Sequence, residues 1–112
     1  MSTEPLERLR QVSGVLGSFT CGSHGQLLLT DMPEQYSVVQ LESTAARLAN
    51  LFQSADEVLP KCRSLTLGFG EHQLSVRRYR FGVLCVLTTA TPDRHLLRVT
   101  TRMLARRLSV LG

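Results

Sequence analysis

The sequence predicts an α+β fold in which three helices flank a five-stranded antiparallel sheet. Two long stretches have helical periodicity, over about residues 36–59 and 92–111, and strand-like segments lie between and before them. Short turns join these strands as hairpins, apart from one helical crossover, so neighbouring strands are expected to run antiparallel. A chain of 112 residues has the size of one ordinary domain, so we expect a single domain over residues 1–112.

The first part of the sequence predicts a short helix followed by a hairpin. Residues 4–12 form the helix, with Pro5 suited to its first turn and an apolar residue at every third position: Leu6, Leu9 and Val12. Residues 15–21 and 26–31 are both strand-like. The segment between them, GSHG, supplies glycine where a tight turn needs a positive φ.

A long helix is predicted over residues 36–59, ending before Pro60. Its apolar arc covers about half of the helical circumference, more than the ~100° of an ordinary surface helix. The arc is centred on Val38, Leu41, Ala45, Leu48, Phe52 and Leu59, and is widened by Leu51, Val58, Ala46 and Ala49. One sheet cannot cover so wide an arc. We therefore expect a second protein chain to cover the remainder.

Three strands and a helix are predicted after Pro60. The strands are residues 62–69, 73–80 and 82–90. By alternation the first places Leu65, Leu67 and Phe69 on one face, and the second places Leu74 and Val76 opposite Ser75, Arg77 and Tyr79. The third begins as a continuous apolar run, which is typical of a central strand covered on both faces. Thr91 is the expected N-cap of helix 92–111, with Pro92 at its first position and Asp93 in its first turn.

The composition indicates a soluble, cytosolic protein. Hydrophobic residues make up 43% of the chain and charged residues 20%, which suits a folded globular domain. The start, MSTEP, is acidic and polar, so we expect no secretory signal. The longest strongly apolar stretch, residues 81–87, is far shorter than the ~20 residues of a membrane span. No membrane span is expected.

The sequence contains no convincing catalytic, metal or cofactor motif. Cys21 precedes His24 by three positions, but a nucleophile and base also need an orienting group and an oxyanion site, so we favour a plain hairpin with an exposed histidine. The three cysteines are odd in number and lack C-x-x-C spacing, which indicates free thiols and no zinc site. The G-x-G of residues 68–70 opens a hairpin, not a helix, so it predicts no phosphate-binding loop. We therefore predict a non-enzyme without a cofactor.

The last helix carries a row of arginines. The net charge of +4 lies entirely in residues 92–112, where five arginines accompany one aspartate. Four of them recur every fourth residue and form one basic ridge: Arg94, Arg98, Arg102 and Arg106. This ridge is either a binding surface for an acidic partner or phosphates, or a solvated outer face. The core face of the helix is predicted at Leu96, Leu97, Val99, Met103, Leu104, Leu108 and Leu111.

Arginines of the fourth strand could extend this basic ridge. Of Arg77, Arg78 and Arg80, only Arg77 is expected on the same side as Tyr79. Nucleic acid is a poor candidate ligand, because aromatic residues make up only 5% of the chain and residues 1–91 are neutral overall.

Three stretches resemble the Roadblock family, whose small domains include dynein light chains and regulators of Ras-like GTPases. They are GVLGSFTCGSHGQLLLTD, resembling the first hairpin, ESTAARLANLFQSADEVL, resembling the middle helix, and RFGVLCVLTT followed by PDRHLLRVTTRMLARRL, resembling the closing strand and helix. The resemblance covers about residues 4–111. It departs from the family at the hairpin tip, where Ser23-His24-Gly25 replaces an Asp-x-x-Gly turn, and in the basic last helix.

The resemblance implies a profilin-like sandwich, with the middle helix on one face of the sheet and the terminal helices on the other. It also implies a homodimer with paired middle helices and third strands joined edge to edge. The alanine edge of the middle helix agrees, because small residues let a second helix approach closely. We expect the dimer interface to contain Val39, Glu42, Ala45, Ala46, Ala49, Leu65 and Leu67.

Two functions follow as expectations. The first, implied by the resemblance, is a homodimeric scaffold or regulator that binds a small Ras-like GTPase or another Roadblock protein in a bacterial polarity or motility system. The alternative is a basic adaptor that binds an acidic peptide, a membrane surface or nucleic acid through the basic ridge.

Overall fold

A computed structural model describes residues 4–22, 24–58, 64–69, 71–79 and 82–111. Its elements follow the predicted order, and most of their ends lie within about two residues of the prediction. In chain order they are α1 (Glu4–Arg10), β1 (Val15–Gly22), β2 (Leu27–Asp31), α2 (Val38–Val58), β3 (Ser64–Phe69), β4 (His72–Tyr79), β5 (Gly82–Thr88) and α3 (Arg94–Leu111). The predicted strand residues 62 and 63, and residues 80 and 81, lie outside the described parts of the chain.

The strands form one antiparallel sheet in the order β2-β1-β5-β4-β3. Its central strand, β5, is buried along its whole length, which explains the continuous apolar run in its sequence. β2 and β3 are the two edge strands. The predicted antiparallel five-stranded sheet is confirmed.

Helices cover both faces of the sheet, as predicted. Val83, Cys85 and Leu87 of β5 belong to the cluster beneath α2, while Leu84 and Val86 belong to the cluster beneath α1 and α3. This alternation follows from the two-residue period of a strand. Burial of each large apolar side chain contributes about 1.5–3 kcal/mol. The two clusters therefore hold α2 to one face, and α1 and α3 to the other.

The beginnings of the two long helices are fixed by side-chain caps. At α2, the Ser37 hydroxyl accepts a hydrogen bond from the Gln40 N–H (3.2 Å) and the Gln40 side chain accepts one from the Ser37 N–H (2.9 Å). This reciprocal capping box starts α2 later than the predicted residue 36.

Among the described residues, no helix combines the length and the hydrophobicity needed to cross a bilayer.

At α3, the prediction that Thr91 is the N-cap is wrong. The Asp93 carboxylate accepts a hydrogen bond from the Leu96 N–H (3.0 Å), and the Asp93 carbonyl accepts one from the Leu97 N–H (2.9 Å). The Asp93 N–H donates to the Ser13 carbonyl (2.9 Å), which ties this cap to the segment before β1. Pro92 thus precedes the helix, and α3 begins after Asp93.

Candidate interaction surfaces

The outward side of α2 presents a row of residues spaced alternately three and four apart. This α2 ridge consists of Val39, Glu42, Ala46, Ala49 and Gln53. Val39 is 75% exposed, Glu42, Ala46 and Gln53 are also exposed, and Ala49 is half-buried. A three-four spacing places all five residues along one line of the helix, which is the pattern of a helix-packing seam.

Ala45 does not belong to this ridge. It is fully buried (0% exposed) in the cluster beneath α2, together with Leu41, Leu48 and Phe52. Its neighbour Ala46 is exposed, because successive helical residues are rotated by about 100°. We therefore remove Ala45 from the expected dimer interface, since its side chain is already enclosed within its own chain.

The sheet covers only part of the apolar arc of α2. Val38 and Leu51 are 56% and 39% exposed, in addition to Val39. The described structure thus leaves apolar side chains of α2 in contact with solvent, as its wide arc requires.

The β3 edge of the sheet, described in full from Ser64 to Phe69, carries no charged residue. Leu65 and Leu67 are half-buried and pack against the cluster beneath α2, while Ser64, Thr66 and Gly68 are exposed. Within the described residues, β3 pairs only with β4. An uncharged edge without proline is a site at which another strand can pair.

The opposite edge strand of the sheet, β2, carries a charged residue. Asp31 at its end forms an ion pair with Arg10 (3.1 Å), and the Arg10 guanidinium also donates to the Asp31 carbonyl (3.3 Å). A charged residue on an edge strand discourages pairing with another chain. Within the described parts of the chain, β3 is therefore the edge strand that carries no charge against association.

The basic ridge of α3 is solvent-facing. Its four arginines, Arg94, Arg98, Arg102 and Arg106, are all exposed. A groove of about 230 Å³ between α3 and the β3–β4 hairpin is lined by Arg94 and Arg98 together with Arg77. Arg78 instead lies on the α2 side, with its guanidinium carbon 4.4 Å from the centre of the Phe52 ring. Arg77 thus extends the ridge, in agreement with the strand alternation, and Arg80 lies outside the described residues.

The predicted core face of α3 is too wide. Leu97, Leu104 and Leu108 are buried, but Leu96, Val99 and Met103 are 44%, 40% and 59% exposed. The reason is geometric: these three residues lie on a second line of the helix, rotated away from the sheet. The side chain of Leu111 lies outside the described part of the chain.

Cys21 is a buried thiol (1% exposed) beside a second thiol, Cys85. The hydrogen bond from Cys85 lowers the pKa of Cys21, in spite of its burial. The same bond, together with burial, raises the pKa of Cys85 well above its ordinary value. His24 is exposed in the hairpin turn. Among the described residues, the Cys21 thiol is therefore hydrogen-bonded to Cys85. Cys62 lies outside the described residues.

The residues that the structure describes contain no group of three or more side chains arranged to hold a metal ion. No family model matches the sequence, and no curated protein matches it either.

Solved structures are nevertheless similar over almost the whole chain. A Roadblock/LC7 domain from Streptomyces avermitilis has a TM-score of 0.80 at 16% identity, covering 99% of this chain and 98% of its own. The gliding protein MglB from Thermus thermophilus has a TM-score of 0.79 at 12% identity, covering 95% of this chain and 84% of its own. The chain has the Roadblock/LC7 fold. Profilin IA from Acanthamoeba castellanii is similar at a TM-score of 0.60 and 17% identity, covering 88% of each chain, so the Roadblock fold here is also profilin-like.

Within this Roadblock fold, the two candidate surfaces lie on opposite faces of the sheet. The α2 ridge lies on the face that carries Leu65 and Leu67, and the basic ridge lies on the face of α1 and α3.

Proposed function

We propose that this chain is a non-enzymatic homodimeric regulator of the Roadblock type, which pairs through the α2 ridge and the β3 edge. The observation that carries the proposal is the combination of the exposed α2 ridge with β3, an uncharged edge strand that pairs only with β4 within the described residues. In the proposed homodimer, a second copy covers both the α2 ridge and the edge of β3.

A twofold axis beside β3 would satisfy both surfaces. Antiparallel pairing of two β3 strands joins two five-stranded sheets into one continuous sheet. The two α2 helices then lie on the same face of that joined sheet. The small side chains of Ala46 and Ala49 favour a close approach of the second helix, toward the ~8–10 Å typical of packed helices.

The partner that we propose is a small Ras-like GTPase or another Roadblock-domain protein, in a bacterial polarity or motility system within the cytoplasm. Two facts support it: the family resemblance in sequence, and the fold shared with the gliding protein MglB. In this proposal the dimer acts by reshaping the switch loops of the GTPase. The exposed arginines of α3 lie along a helix surface, which suits contact with a surface better than insertion into a nucleotide pocket.

Affinity capture from the native host tests the partner class. The tagged chain is incubated with lysate in the presence of GDP or a non-hydrolysable GTP analogue, and captured proteins are identified by mass spectrometry. We expect a Ras-like GTPase whose recovery depends on the nucleotide, or a second Roadblock-domain protein. If neither class of protein is recovered with GDP or with the GTP analogue, the proposed function is contradicted.

The exposed basic ridge also supports the second candidate function, a basic adaptor. Reversing the charge at Arg98 and Arg102 should abolish binding by such an adaptor and leave the dimer intact, as measured by binding of acidic peptides and by light scattering. Retention of the binding in the doubly reversed variant contradicts the adaptor.

A further inference from the structure

A second surface of α3 combines apolar side chains with positive charge. Leu96, Val99 and Met103 are all exposed and are spaced three and four residues apart, so they form one line, the α3 seam. This line is separate from the buried one that contains Leu97, Leu104 and Leu108. An amphipathic helix ordinarily has one apolar stripe, which faces its own core. The α3 seam is an additional stripe that faces away from it.

The α3 seam borders a groove between α1 and α3. The groove has a volume of about 550 Å³, and buried Val12 and Leu104 form part of its floor. Its walls include Arg8 and Gln11 of α1, with Leu96, Met103 and Arg107 of α3. The seam therefore opens onto a recess between two helices.

Arginines flank the seam on both sides. Arg8 and Arg107 lie on the groove side, and the helical rotation places Arg102 and Arg106 on the other side. None of the described residues that line the groove is acidic. Among the described residues, none of these four arginines forms an ion pair within the chain. Within the described part of the chain, these charges are thus available to an external acidic group.

We propose that the α1–α3 groove binds an amphipathic helix of a partner protein, whose apolar residues contact the α3 seam and whose glutamates or aspartates pair with the flanking arginines. A helix in a groove is recognised through apolar anchors at three-four spacing, which is the spacing that the seam presents. Arginine pairs well with carboxylates, because its planar guanidinium donates two parallel hydrogen bonds.

The shape of the site favours a helix over a lipid surface. The Leu104 and Val12 side chains lie at the floor of a recess, which a convex helix can enter and a flat bilayer cannot. The described lining of the groove contains no aromatic residue, which disfavours stacking with the bases of a nucleic acid. The site lies on the face opposite α2, so this inference goes beyond the proposed dimer and does not depend on it.

A designed peptide serves as the probe. It has about 20 residues, long enough to form a helix, with leucine at the a and d positions of each heptad and glutamate at the flanking e and g positions. A second peptide of the same composition has its order shuffled, so that it has no apolar face. Anionic phospholipid vesicles are the third probe. Binding to the full chain is followed by fluorescence anisotropy for the peptides and by co-sedimentation for the vesicles.

We expect the amphipathic peptide to bind, and the shuffled peptide and the vesicles to bind much more weakly. Met103→Glu, at a 59% exposed site, should weaken peptide binding by about tenfold or more. Arg107→Glu should also weaken peptide binding. Leu28→Glu is the matched control, because it places the same charge on an exposed apolar residue (45% exposed) of β2, and it should bind as the wild type does.

Several results would overturn the inference: no binding of the amphipathic peptide, equal binding of the shuffled peptide, stronger binding to the vesicles, or equal loss with Leu28→Glu and Met103→Glu. Light scattering on the same samples separates this site from the dimer. Met103→Glu should keep the mass of the wild type, so loss of peptide binding at unchanged mass concerns the groove alone.

Discussion

Gly14 and Gly25 hold the connections around β1 in backbone conformations that other residues rarely adopt. Gly14 has a φ of 90°, and a Cβ added there would lie 2.6 Å from the Pro92 Cα. Gly25 has a φ of 86°, and its added Cβ would lie 3.2 Å from the Ala46 Cα. The first contact joins a Cβ, which is fixed to its own backbone, to a backbone atom of Pro92, so it cannot be relieved by turning a side chain. These glycines bring the entry to α3 and the middle of α2 close to the first hairpin.

We predict that Gly14→Ala lowers the free energy of unfolding by about 1–3 kcal/mol, because it adds strain at a positive φ and a contact with Pro92. Urea denaturation followed by circular dichroism measures the change. Ser54→Ala is the control, since it introduces the same residue at an exposed position of α2 outside both the α2 ridge and β3. Equal unfolding midpoints for the two variants would contradict this account.

Asp93 and Thr91 give a second test at the residue scale. We predict that Asp93→Ala destabilises the chain by about 0.5–2 kcal/mol, because it removes the carboxylate that caps α3. Thr91→Ala should have a much smaller effect on the same urea curve. The reverse order would restore Thr91 as the cap.

Sequence reasoning at this scale succeeded where one physical rule decided the outcome. The positive φ of Gly25 was expected from the GSHG turn, and the alternation of β4 separated Arg77 from Arg78. It failed at the α3 cap because Thr and Asp both cap helices, and the sequence does not show that Asp93, whose N–H donates to the Ser13 carbonyl, takes that position. Ala45 was misplaced because a wide apolar arc does not reveal where the sheet lies.

At the scale of elements, each long helix has exposed apolar or charged residues in addition to the side that packs on the sheet. α2 places Leu41, Ala45 and Phe52 against the sheet and leaves the α2 ridge exposed, while α3 leaves both the basic ridge and the α3 seam exposed. The α3 seam was not anticipated, because its residues were assigned to the core. The signal was present in the sequence as two apolar lines on one helix, but a single periodicity analysis merges them.

Ala46→Glu tests the α2 ridge. A larger, charged side chain at an exposed position should leave the monomer folded and weaken the dimer by about a hundredfold or more, because it places a charge within a helix-packing contact. Sedimentation equilibrium gives the dissociation constant. Ser54→Glu is the control, because it adds the same charge to an exposed residue of α2 outside the ridge. If Ser54→Glu weakens the dimer as much as Ala46→Glu does, the ridge is not the contact.

At the scale of the whole molecule, the order of helices and strands could be predicted from the sequence, because periodicity and turn residues mark each element. The strand order could not be obtained in this way, and the proposed function depends on it. It places β3 at an edge and β5 at the centre of the sheet. The α2 ridge and the α3 seam lie on opposite faces of that sheet. A dimer formed on one face therefore leaves two copies of the α1–α3 groove open on the other.

The central claim, that a second copy covers α2 and the edge of β3, is tested most directly by the molar mass of the wild-type chain in solution. Multi-angle light scattering over a range of concentrations should report a particle of about 25 kDa, twice the 12.5 kDa of the chain. A single species of 12.5 kDa that persists at the highest concentration would contradict the claim.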